Sequence, residues 1–149
     1  MAIVWFEGGI TAAANGDLIG APDLRGRLTM GSTTCDTEDA VNIADFTTVD
    51  TFDGVGYSDI DFANVASAYD AATRKWQWTA DNGNCGTMVA EGTDDTSGML
   101  ILLRVDGTDA NDIAIAWTDE GGLAGANAHS GALNIVLTDG ILMALGAAA

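Results

Sequence analysis

The sequence predicts an all-β fold, a single β-sandwich (jelly-roll or immunoglobulin-like) of about six to eight antiparallel strands with long loops. Three observations predict it. Short apolar runs rich in Ile, Leu and Val are cut apart by Gly, Asp, Asn and Thr clusters. Other stretches alternate apolar and polar residues with the period of a strand. No internal repeat of about 20–50 residues is present. The chain has 149 residues, of which 48% are hydrophobic, enough for one domain with a real core. Residues 1–23 read as an extended N-terminal arm and residues 24–149 as the sandwich.

The run Ala2 to Phe6 is too short for periodicity to choose between a strand and the opening turn of a helix. Residues 11–23 are small, with Asn15-Gly16 and the single proline, Pro22, as turn markers. They read as an arm ordered only by docking on a neighbour. Leu24 to Met30 alternates, with Arg25, Arg27 and Thr29 on the wet side, so both arginines are expected to pair with carboxylates on neighbouring strands. Residues 31–56 are acidic, with a short amphipathic helix expected near 37–46 behind Thr37 as N-cap.

Ser58 to Tyr69 and Arg74 to Ala80 read as a hairpin across the turn Asp70-Ala71-Ala72-Thr73. Trp76 and Trp78 share one face of its second strand, and paired large aromatics read as core. Asp81 to Asn84 reads as a turn, and residues 84–97 as a loop with a weak strand at Thr87 to Val89. Met99 to Val105 and Ile113 to Trp117 are joined by a tight Asp/Gly connection and should be antiparallel neighbours. Arg104, inside the first of these, is expected to meet an Asp. A Gly/Ala-rich loop with the single histidine, His129, leads to strands at Leu133 to Leu137 and Ile141 to Leu145.

Charge and chemistry exclude several classes. Five Lys and Arg stand against 22 Asp and Glu, a formal charge of −17. That balance argues against nucleic acid, which requires a basic footprint, and against anionic membranes. No apolar stretch has the length of a membrane span, and the start has neither the basic region nor the apolar length of a secretory leader. Cys35 and Cys85 form no metal or redox pattern. A disulfide between them is not testable from spacing, and they read as free thiols in a reducing cytoplasm. His129 has no catalytic motif around it, and no nucleophile–base constellation is present. The oxygen-rich loop Asp106, Asp109, Asn111, Asp112 lacks the full calcium-loop pattern and reads as a turn, as do Glu91, Asp94 and Asp95. The sequence therefore predicts no catalytic, cofactor or metal site and no enzyme.

Several segments in order carry a resemblance: FEGGI, LRGRLTM, Gly54-Val55-Gly56-Tyr57, NVASAYDAATRKWQWTAD, MLILLRVDGTDANDIAIAWTDEGG and SGALNIVLTDGILMAL. This order resembles a group of tailed-bacteriophage virion structural proteins. Gly56 and Tyr57 match a G-x-G-Y step. Asp119, Gly121 and Gly122 match the acidic glycine end of the penultimate strand, and Gly140, Ile141, Leu142 and Leu145 match a closing G-I-L-x-L. The chain departs from the group in the acidic segment 31–53 and around Cys85. The resemblance implies a capsid decoration or cement protein, trimeric, bound to the major capsid protein on the virion surface and made in the host cytoplasm. Three rivals are a tail, baseplate or fibre component, a carbohydrate- or Ca²⁺-dependent adhesion module using exposed Trp and the acidic loops, and an enzyme using carboxylates, which the missing base–nucleophile constellation argues against.

Overall fold

The computed structural model describes residues 3–30, 35, 40–46, 51, 55–88, 95–119, 126–127, 131–135, 137 and 140–146. Its elements in chain order are β1 (Val4–Trp5), α1 (Glu7–Asn15), β2 (Leu24–Met30), a 3-10 turn (Ile43–Asp45), β3 (Ile60–Asp61), β4 (Ala66–Asp70) and β5 (Lys75–Thr79). Then come β6 (Gly83–Met88), β7 (Asp95–Leu103), a second 3-10 turn (Asp109–Asn111), β8 (Ile113–Thr118), β9 (Ala126–Asn127), β10 (Gly131–Ile135) and β11 (Ile141–Leu145). Every strand pairing is antiparallel. The chain is an all-β, sandwich-like domain, as its alternating and apolar runs predict.

One layer is the sheet β1-β8-β7-β2-β3, with β9 also on β7. The sheet β11-β5-β4 and the ribbon β10-β6 pack against it. The main core lies between. Leu24, Leu28, Met99, Ile101 and Ile115 from the large sheet meet Trp78, Met143, Cys85 and Ile135 from the other two. β7 is apolar from Met99 to Leu103 because both its faces are covered there. Met99, Ile101 and Leu103 enter the main core, while Leu100 and Leu102 enter a second cluster with Phe6, Cys35, Ala40 and Trp117. Phe6 and Phe46 close that second cluster edge to face, with ring centroids 5.2 Å apart. Each fully buried Leu or Ile contributes about 1.5–3 kcal/mol over its exposed state.

The outer edge of β8 is sealed. Val4 and Trp5 pair with Trp117 and Ala116. Phe6 N–H donates to Ile115 O (3.1 Å), Ala114 N–H to Val41 O (2.9 Å) and Ile43 N–H to Asp112 O (3.0 Å). A strand edge left open would template aggregation, and here the chain covers it with its own residues. α1 lies against β8 at van der Waals distance because Gly8 and Gly9 carry no side chain: a Cβ on Gly9 would stand 2.2 Å from Ile115 O.

Residues 3–23, expected as an extended arm, instead fold onto the domain. The reason is tertiary. A helix containing Gly8 and Gly9 is weak alone, but those glycines let it dock, and docking overrides propensity. Beyond the helix, Leu18 is fully buried and its carbonyl accepts a hydrogen bond from Trp78 Nε1 at 2.7 Å.

Other expectations meet the structure as follows. The β4–β5 hairpin forms, and Asp70 caps its turn by accepting from Ala72 N–H (3.0 Å) and Thr73 Oγ1. β7 and β8 are antiparallel neighbours. The turn read at Asp81 to Asn84 is a correction: β6 already starts at Gly83. That glycine serves close packing, since a Cβ there would lie 2.2 Å from Ile60 Cγ2. Within the segment read as a helix near 37–46, the described residues hold only the 3-10 turn, capped by Asn42 and Asp45, and Thr37 lies outside them.

Candidate functional site

The wet half of the large sheet carries an arginine–aspartate belt. Arg25 and Arg27 leave β2 on the side opposite Leu24 and Leu28, where β2 runs beyond the cover of the second apolar cluster. Arg25 lies 3.8 Å from Asp23 and 4.0 Å from Asp61, its neighbour across the β2–β3 pair. Arg27 Nε donates to both oxygens of Asp59 (3.1 and 3.0 Å), and its Nη2 reaches Asp109 at 3.3 Å. Arg104 Nη2 donates to Asp109 at 2.7 Å, and its Nε stands 3.9 Å from Asp112. The pairing expected for all three arginines is therefore present, and Asp109 bridges two of them.

Tyr57 anchors the belt from below. Its hydroxyl accepts from Leu28 N–H (3.0 Å) and donates to Asp59 Oδ1 (3.0 Å). Burial, with the neighbouring Asp59 charge, pushes the phenol far above its ordinary value. Burial alone would lower the Arg27 pKa, but the hydrogen bond and charge of Asp59 outweigh it and raise it. The same burial and the Asp59 charge push the Cys85 thiol up to about 11. Cys35 and Cys85 are both buried thiols outside any disulfide, which fits low reactivity.

The loop Asp106 to Asp112 holds itself together. Asp106 accepts from Thr108 N–H and Asn111 Nδ2, each at 2.8 Å, and these bonds hold its carboxyl below the usual range, Asn111 contributing most. Asp109 faces the two arginines. Asp112 is 1% exposed, and neither carboxylate oxygen has a hydrogen-bond partner. Burial pushes its carboxyl up against the pull of Arg104. Among the described residues no group of three or more His, Cys, Asp or Glu side chains converges as a metal site would require. His129, Glu91 and Asp94 lie outside the described residues, and Asp95 opens β7.

The second feature is an apolar recess of about 200 Å³ between the start of the chain and the β11-β5-β4 sheet, lined by Ala13, Leu18, Ile19, Trp76, Trp78 and Leu145. Trp78 is its floor, 2% exposed, stacked at a tilt on Trp5 with ring centroids 5.5 Å apart. Trp76, two residues nearer the hairpin turn, is half-buried, and Ile19 is 65% exposed. Trp78 Nε1 and Leu18 O satisfy each other, so the floor offers no free polar group. Sequence reasoning placed both tryptophans on one face but missed the recess, because its other wall comes from residues read as an arm. The adjacent Leu18-Ile19, the one bulky apolar pair among those small residues, was the available signal.

No family model matches the chain, and no curated protein and no solved structure matches it.

Proposed function

We propose that this chain is a virion structural protein of a tailed bacteriophage, a capsid decoration or cement protein that binds the major capsid protein as a trimer and stabilises the head. One observation carries the reading. Three described residues of the resemblance are framework residues: Tyr57 ties Leu28 to Asp59, Leu142 is buried, and Ile141 pairs with Thr79. The likeness is thus one of scaffold, and scaffold is what a contact protein supplies. Two features support it. The acidic surface would keep particles apart in solution. Many copies bound to an assembled shell, and not to its separated subunits, would stabilise the shell by mass action.

Cryo-electron microscopy of purified particles tests it, with the protein identified by a fused tag. Density on the head surface is the expected result, together with heads that release their genome at lower temperature when the protein is missing. Density confined to the tail would move the protein to a tail, baseplate or fibre role. Absence from particles would end the proposal.

A further inference from the structure

The outermost strand of a sheet presents unused main-chain donors and acceptors, and several such strands are covered here. β8 is closed by β1 and by residues 41–43. On β11, Ala144 O accepts from Trp5 Nε1 (3.2 Å), and on β6, Cys85 O accepts from Ser58 N–H (2.9 Å). β3 is two residues long, too short to hold a further strand.

β4 is the exception. It is the last strand of the sheet β11-β5-β4, and among the described residues its backbone bonds only to β5. Gly20 N–H reaches Ser67 through the side-chain hydroxyl (3.1 Å) and leaves the main chain unused. The five residues of β4 run in unbroken register with β5, with no bulge to turn the edge away. They include no proline and no lysine, the residues that commonly guard an edge. Ala66, Ala68 and Tyr69 are exposed. An edge of this kind accepts an extended strand.

Charge selects the strand. At the end of β4 the turn carries exposed Arg74, and β5 opens with Lys75; neither makes an ion pair among the described residues. Arg74 holds φ +59, so the turn keeps a cation where its backbone would favour glycine. The Asp70 carboxylate at this end is engaged by Ala72, Thr73 and Gln77. Beyond the start of β4, exposed Asp81 accepts from Asn64 Nδ2 (2.6 Å). The edge is thus positive at its finish and negative at its start. A complementary strand runs antiparallel, with a carboxylate beside Arg74 and a cation beside Asp81. β4 of a second copy meets both conditions and has its own edge free, whereas a parallel copy would set cations on cations.

We propose that two copies of this chain join β4 to β4 across a two-fold axis at Ala68, merging two three-stranded sheets into one of six. Ala68 then faces the partner's Ala68, and Tyr69 lies opposite the partner's Ser67. Each turn bearing Arg74 runs alongside the partner's Asn64 and the partner's Asp81. An axis at the middle of the strand gives the longest overlap that five residues allow. The contact consumes the same edge on both copies, so it closes at two chains. It goes beyond the virion reading and does not rest on it: within a trimeric protein it would link one trimer to the next.

Sedimentation velocity tests it in 0.15 M NaCl, where repulsion between two chains at −17 fades over about 8 Å. The samples are the native chain, Ala68→Lys, Ala68→Glu, and an equimolar mixture of the two variants. Position 68 is exposed, and circular dichroism with a thermal midpoint checks that each variant is folded. The native chain should form a two-chain species with rising concentration. Each variant alone sets like charges opposite each other and should associate about two- to fivefold more weakly. The mixture sets Lys against Glu and should recover the native association. Overall charge predicts the opposite for Ala68→Lys, since an added cation lessens the repulsion between acidic chains. A native chain that stays monomeric, an Ala68→Lys chain that associates as well as the native one, or a mixture no stronger than either variant would each overturn the proposal. A trimer that neither variant disturbs, with no two-chain species, would overturn it too and leave the virion reading intact. A two-chain species in a protein absent from particles ends the virion reading and leaves this contact standing.

Discussion

Gly9→Ala should destabilise the domain, although alanine is the better helix former. In an exposed helix the exchange would stabilise by about 0.5–1 kcal/mol. Here the new Cβ would stand 2.2 Å from Ile115 O, with Ile115 C and Cα at 2.8 and 2.9 Å. All three are backbone atoms of β8, which pairs with Val4 and Trp5 on one side and with Leu100 and Ile101 on the other, so no side chain can swing aside. Restoring an ordinary contact requires α1 to retreat by about 1 Å, and overpacking of that kind costs about 1–3 kcal/mol. The cost also reaches the hydrogen bonds Phe6 N–H to Ile115 O and Gly8 N–H to Ala40 O, which depend on the same approach. Against the propensity gain, a net loss of about 1–2 kcal/mol remains. Equilibrium urea unfolding reads it as a midpoint lower by about 0.5–1 M at a slope of about 2 kcal/mol/M. Ala14→Gly is the control. It lies on the exposed side of α1 and should lose only about 1 kcal/mol of propensity. A Gly9→Ala midpoint at or above the native one would show that α1 does not rest on β8 as described.

Asp112 should give an unusual pH signature. Its folded pKa is raised, so its contribution favours folding below the unfolded carboxylate pKa of about 3.9 and is lost as pH rises through the folded value. Asp112→Asn should therefore compare better with the native chain at pH 7 than at pH 3.5, with Arg104 still held by Asp109; equal urea-midpoint differences at both pH values would contradict this. Trp78→Phe replaces the indole with a smaller phenyl ring and strands the Leu18 carbonyl, which should cost at least about 1–3 kcal/mol in thermal or urea unfolding. Cys35 and Cys85 should resist Ellman's reagent in the native protein at pH 7.5 and both react in urea, since each is a buried thiol outside any disulfide; rapid native labelling would contradict their burial.

Elements whose partners are local or whose pattern is strict were legible in the sequence. β7, β8 and the β4–β5 hairpin follow from apolar runs and alternation. The carboxylate partners of Arg25 and Arg27 follow from two cations on a wet strand face in an acidic chain, although nothing in spacing pointed to Asp59 in particular. α1 was not legible, because its glycines lower helix propensity and gain their value only against β8, far away in sequence. The weak strand read at Thr87 to Val89 caught only the end of β6, and its start was hidden for the same reason: Gly83 reads as a turn until Ile60 is seen above it. The recess needs both surprises at once, a folded N-terminal segment and the inner face of β5, so no local pattern could reveal it.

The sealing of β8 has a consequence for biosynthesis. Val4, Phe6 and Val41 leave the ribosome early, yet each bonds to a strand made near the end of the chain. Until β8 emerges, β1, α1 and Val41 lack the strand they close upon, although β2 can already pair with β3 and β7. Folding must then wait for contacts of long sequence separation, which are slow to form. A nascent chain stalled before residue 113 should be held by chaperones or lost to proteases, whereas one released a few residues after Thr118 could already begin to close its first sheet.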